Sequence, residues 1–144
     1  MKSLVLTLCV VVSLCTGRAQ DDVVRYKPGN VIGPYTPAVR AGRLLFVSGQ
    51  IALDAAAGTL VTGDIELETR QVLRNLRTVL TAAGYDSSQV VSATVYLKNM
   101  ADYQKVNAVY ATFFPEGKYP ARVAVEVSAL PRQANIEIAV VAYK

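Results

Sequence analysis

The chain has no histidine, and its two cysteines, Cys9 and Cys15, both fall near the start of the 144 residues. The segment that carries them reads as an export signal. Lys2 supplies a positive start, residues 4–14 form an apolar run, and Gly17-Arg18-Ala19 places small residues at the two positions a signal peptidase reads. That run is too short to cross ~30 Å of hydrocarbon, so cleavage after Ala19 is expected and a membrane anchor is not. Leu14 before Cys15 is a poor match to a lipoprotein cleavage site. Residues 1–19 are thus assigned to a signal peptide and residues 20–144 to a single domain, secreted or periplasmic. The exported chain then lacks cysteine as well as histidine. Disulfides, thiol nucleophiles, Ser-His-Asp triads and the usual zinc sites are excluded together. No Asn-x-Ser/Thr sequon is present either.

Charge is also scarce. The net value is +4, and loss of Lys2 and Arg18 with the signal brings it to +2. This is too mild for a nucleic-acid or membrane footprint, and no basic patch carries interleaved aromatics. A domain of this size without disulfides relies on its hydrophobic core, which is sufficient at this length.

Periodicity supplies the order of elements. Residues 38–40 and 44–48 read as strands around Ala41-Gly42-Arg43, and residues 54–63 as a loop with turn residues. Asp64 is a candidate N-cap for a helix with Ile65, Val72, Leu73, Leu76, Val79 and Leu80 on one face, ended by Gly84. Residues 90–97 read as a strand. Asn99 can cap a second helix running to about Phe114, where Pro115 and Gly117 stop it. Two closing strands follow. The β-β-α-β-α-β-β order predicts an α+β sandwich, one sheet with both helices on one face.

Two features of this pattern bear on function. The apolar closing strands carry Arg122 and Glu137, joined by a short loop holding Pro131, so a sheet can bring the two charges close. Such a pair is either a structural ion pair or a small-molecule site, since Arg grips a carboxylate with two parallel hydrogen bonds. The second helix carries Asn107 inside an apolar stripe of Tyr103, Val106, Tyr110, Phe113 and Phe114. An amide there needs a partner, either as a cap for a nearby loop or by reaching into a polar pocket.

Ile32-Gly33-Pro34-Tyr35, residues 46–51 (Phe-Val-Ser-Gly-Gln-Ile), residues 106–110 (Val-Asn-Ala-Val-Tyr) and Phe113-Phe114 resemble the RidA/YjgF family of imine deaminases. Pro120-Ala121-Arg122 through Leu130 to Ile136-Glu137-Ile138 resembles that family's signature segment. The resemblance runs from about Tyr26 to Tyr143. It implies a chorismate-mutase-like fold, a homotrimer with clefts between subunits, and hydrolysis of 2-imino and enamino acids to 2-oxo acids and ammonia. No metal or organic cofactor is implied. Carried over residue by residue, Arg122 would bind the substrate carboxylate and Glu137 would hold or activate water. Tyr35 and Asn107 would line the cleft, and Ser48-Gly49 would supply backbone contacts. Ala124 stands where the best-known members have a cysteine, at a position whose backbone touches the ligand. Imino acids hydrolyse spontaneously, so an exported chain also invites a second expectation: a small-carboxylate-binding or signalling protein on the same scaffold without significant turnover.

Overall fold

The computed structural model describes residues 23–29 and 31–144; the expected signal peptide lies outside them. A six-stranded sheet is built from β1 (Val23–Tyr26), β2 (Ala38–Ala41), β3 (Leu44–Ile51), β6 (Val90–Leu97), β7 (Ala121–Glu126) and β8 (Ile136–Tyr143) in the order β1-β2-β3-β8-β6-β7. Between β3 and β6 come a hairpin of two-residue strands, β4 (Leu53–Asp54) with β5 (Thr59–Leu60), and helix α1 (Ile65–Ala82). Helix α2 (Tyr103–Ala111) links β6 to β7. These two strands are the parallel pair, because a helical crossover returns the chain in the same direction. The α+β class and the two helices agree with the sequence reading.

The α1 boundaries follow from local chemistry. The Asp64 carboxylate accepts the Glu66 N–H at 3.0 Å, and Glu66 and Glu68 place negative charge in the first turn. Gly84 leaves the helix at φ 77°, where a side chain would be strained. The stripe from Ile65 to Leu80 buries against Leu45, Val47, Ile138 and Val140 of the sheet. Each such Leu, Ile or Val contributes about 1.5–3 kcal/mol.

Several elements differ from expectation. β1 pairs with β2 along residues that carry no turn signal, and the expected 54–63 loop holds the β4–β5 hairpin. α2 ends at Ala111 rather than near Phe114. Asn99 does act as a cap, accepting the Ala101 N–H at 2.9 Å, but it opens a 3₁₀ turn over Met100–Asp102 that leads into α2. At the far end the Thr112 hydroxyl donates to the Val109 carbonyl and the Phe113 N–H to that of Tyr110. This tightens the last turn ahead of Pro115, which disfavours helical geometry at Phe114.

Glu68 faces inward, only 2% exposed. Its carboxylate accepts Asn135 Nδ2–H at 2.7 Å and the Asn135 backbone N–H at 3.3 Å, tying α1 to the loop that enters β8. Within that loop Arg132 and Gln133 both take positive φ, 56° and 62°.

The sheet face away from the helices remains open in the single chain. Phe46 is 47% exposed there, Val123 57% and Val125 37%.

Candidate active site

One group of predicted residues converges at the β3–β8 pair in the middle of the sheet. A cleft of about 440 Å³ is lined by Tyr35, Ser48, Gly49, Asn75, Pro131 and Glu137, among others. The Ser48 hydroxyl donates to the Thr36 carbonyl at 2.7 Å and its N–H to that of Pro37 at 2.9 Å. Both bonds pin the turn carrying Tyr35 onto β3. The β3–β8 register shifts between Val47 and Gln50, then resumes with Ile51 opposite Glu137. This irregularity sets Gly49 directly under the Glu137 side chain. A Cβ on Gly49 would lie 1.7 Å from Glu137 Oε1, so only glycine leaves room for the carboxylate.

Glu137 is half-buried and has no hydrogen bond or ion pair among the described residues. Burial disfavours its charged form and raises its pKa above the ordinary glutamate value. A carboxylate so placed is a stronger base than one in water. The folded state binds this proton more tightly, so the group favours folding at low pH and opposes it once pH passes the raised pKa. Glu137→Gln should therefore melt at or above the parent temperature at neutral pH, with the difference vanishing below the ordinary carboxylate range. Thermal melts of both proteins from pH 3 to 8 check this.

The second group lies across the sheet. Arg122 on β7 donates from Nη1 to Asn107 Oδ1 at 2.7 Å and from Nη2 to the Tyr103 hydroxyl at 3.0 Å. Its guanidinium also stands 4.8 Å from the Tyr110 ring centre and 5.6 Å from that of Tyr103. Tyr103, Asn107 and Tyr110 are spaced i, i+4, i+7, one face of α2, so the helix presents all three to one cation. Asn107 thus bonds Arg122 rather than capping a loop. The Tyr110 hydroxyl is buried without a partner among the described residues, and burial pushes it up to about 12 against the opposing pull of Arg122. Ala124, two residues along β7 on the same face as Arg122, is partly buried against the core.

The expectation that the sheet brings Arg122 and Glu137 together is not met within one chain. β6 lies between β7 and β8, with Ala93 opposite Arg122 and Tyr96 opposite Glu137. Residues three apart on a strand point to opposite faces, so Arg122 sits on the helix side and Glu137 on the other. A structural pair between them is ruled out in the protomer. Among the described residues the ion pair formed is Arg70–Glu66, one turn apart on α1. Sequence reading counted Tyr103 and Tyr110 as apolar stripe; their spacing around the misfit Asn107 is the signal that marks them. No group of three acidic, histidine or cysteine side chains among the described residues is placed to hold a metal ion.

These features define a small α+β protein with an acid cleft on one side and an aromatic-held arginine on the other. The endoribonuclease L-PSP family model matches residues 27–144, and the chain belongs to that family, the RidA/YjgF proteins. It is 55% identical over 113 residues to a RutC family protein of Pyrococcus horikoshii, covering 78% of this chain and 89% of that one. It is 46% identical over 111 residues to mouse 2-iminobutanoate/2-iminopropanoate deaminase, covering 77% and 82%. TdcF of E. coli, solved with bound serine, superposes with a TM-score of 0.75 at 32% identity, covering 82% of this chain and 93% of TdcF.

Proposed function

We propose that this chain hydrolyses 2-imino acids and their enamine tautomers to 2-oxo acids and ammonia. The observation that carries the reading is the Glu137 carboxyl: without a partner among the described residues, raised in pKa by burial, and held over a glycine in an open cleft. Family membership and the mouse deaminase relative support the reaction class.

In this mechanism the substrate carboxylate docks on Arg122, whose planar fork fixes its orientation. Glu137 accepts a proton from water as the water oxygen attacks the electrophilic imine carbon. The resulting carbinolamine takes that proton on nitrogen; as the C–N bond breaks, its hydroxyl proton passes back to the Glu137 carboxylate, the C=O forms and ammonia leaves. Orientation together with one base suffices for a carbon already activated as an iminium.

Because the two residues occupy opposite faces of one sheet, a working site takes Arg122 from one copy and Glu137 from another. The reading therefore includes a homotrimer with its clefts between subunits. The exposed Phe46, Val123 and Val125 on the open sheet face favour such assembly. Export rests on residues 1–19 alone, and N-terminal sequencing of protein from the native host is expected to begin at Gln20.

The test is release of 2-oxo acid or ammonia from imines generated in situ by an amino-acid oxidase. Arg122→Lys keeps the charge but loses the planar fork. It should lower kcat/KM roughly ten- to hundred-fold, the loss of about 1.5–3 kcal/mol for one charge-assisted hydrogen bond. A chain lacking activity above the spontaneous rate overturns the reading.

A further inference from the structure

Arg122 is a cation surrounded by neutral groups. Its partners among the described residues are an amide, a phenol and an aromatic face, and no carboxylate lies within ion-pair distance. A structural arginine in an apolar sheet is ordinarily matched by an acid. Here the charge is held in place yet left uncompensated, which suits a site that receives its counter-ion from outside.

The manner of holding is specific. Arginine has five N–H donors, and Asn107 Oδ1 and Tyr103 Oη engage one each, leaving the others for an incoming anion. Two bonds to different nitrogens fix both the position and the plane of the guanidinium. The Tyr110 ring closes one side of it. A free arginine loses rotamer freedom when a ligand fixes it; one already fixed loses less.

We propose that Tyr103 is a positioning residue: its hydroxyl sets the Arg122 fork in the orientation that receives a 2-imino or 2-oxo carboxylate. The proposal rests on reading Arg122 as the carboxylate-binding residue. It assigns Tyr103 a role in ligand affinity that its place in an apolar stripe conceals. Tyr103 acts through Arg122 and takes no part in the proton transfers, so its loss affects binding more than turnover.

The experiment compares the parent protein with Tyr103→Phe, which keeps the ring and removes only the oxygen, and with Tyr103→Leu, which removes both. The readouts are steady-state hydrolysis of an in situ generated imine, calorimetric binding of 2-oxobutanoate, and melting temperature. For Tyr103→Phe the expected result is about a fivefold rise in KM and in the Kd for 2-oxobutanoate, kcat within about twofold of the parent, and an unchanged melting temperature. Tyr103→Leu should weaken binding further. A merely structural tyrosine would lower the melting temperature and leave the affinity of the folded protein intact, and that outcome overturns the proposal. Binding does not require turnover, so the two readings can fail separately. A parent that binds 2-oxobutanoate more tightly than Tyr103→Phe but hydrolyses no imine keeps this inference and removes the deaminase reading. A parent that hydrolyses imine but binds no 2-oxo acid overturns this inference and leaves the deaminase reading standing.

Discussion

Arg122→Ala and Glu137→Gln chains, each nearly inactive alone, should regain about a quarter of parental imine hydrolysis when unfolded together in equal amounts and refolded. The value follows from geometry. Arg122 lies on the helix side of the sheet and Glu137 on the other, separated by β6, and in the trimer proposed above each cleft draws one residue from each of two neighbours. Random assortment leaves both residues intact at about one site in four. Separately, each variant should lose roughly a hundred-fold, the scale of one general base or one bound carboxylate. If both residues served one site within a single chain, mixing would restore nothing. Light scattering on the mixture shows whether trimers have formed, so failed assembly is distinguishable from failed complementation.

Gly49→Ala should reduce turnover about as much as Glu137→Gln, again roughly a hundred-fold, although it adds a single methyl group. Gly49 does not occupy the left-handed region, so alanine is compatible with the backbone. The obstacle lies opposite. The new Cβ would meet Glu137 Oε1 at 1.7 Å, Cδ at 2.6 Å and Cγ at 2.9 Å, so the whole side chain must swing out of the cleft. Folding should survive because the carboxylate moves toward solvent. Steady-state kinetics beside a thermal melt checks this. Parental activity in a folded Gly49→Ala protein would show that Glu137 is not needed at its observed position.

What the sequence disclosed and what it hid follow a physical division. Elements set by local periodicity and caps were legible: α1 from its stripe, Asp64 and Gly84, and β6 from its β-branched run. β1 was missed because Val23-Val24-Arg25-Tyr26 has no turn before it and pairs only at an edge. Strand order was illegible for a different reason. β7 and β8 are neighbours in sequence, but the α2 crossover puts β7 beyond β6, and only long-range pairing specifies that. The candidate residues Arg122, Glu137 and Asn107 stood out as polar groups in apolar settings. Tyr103 and Tyr110 did not, since a tyrosine serves an apolar stripe and a cation equally well. Glu68 was equally hidden, because an acid near a helix start reads as solvated until Asn135 is seen beside it.

The pair of tyrosines around Arg122 gives the protein an optical property. The chain has eight tyrosines and no tryptophan, so no indole masks their near-ultraviolet signal. Tyr103 is hydrogen-bonded to the guanidinium and Tyr110 lies stacked beside it. Neutralising that charge with an anion alters the electric field across both rings at once. If Arg122 receives a carboxylate as proposed, near-ultraviolet circular dichroism of the unlabelled protein should change on anion binding, independent of any chemistry that follows.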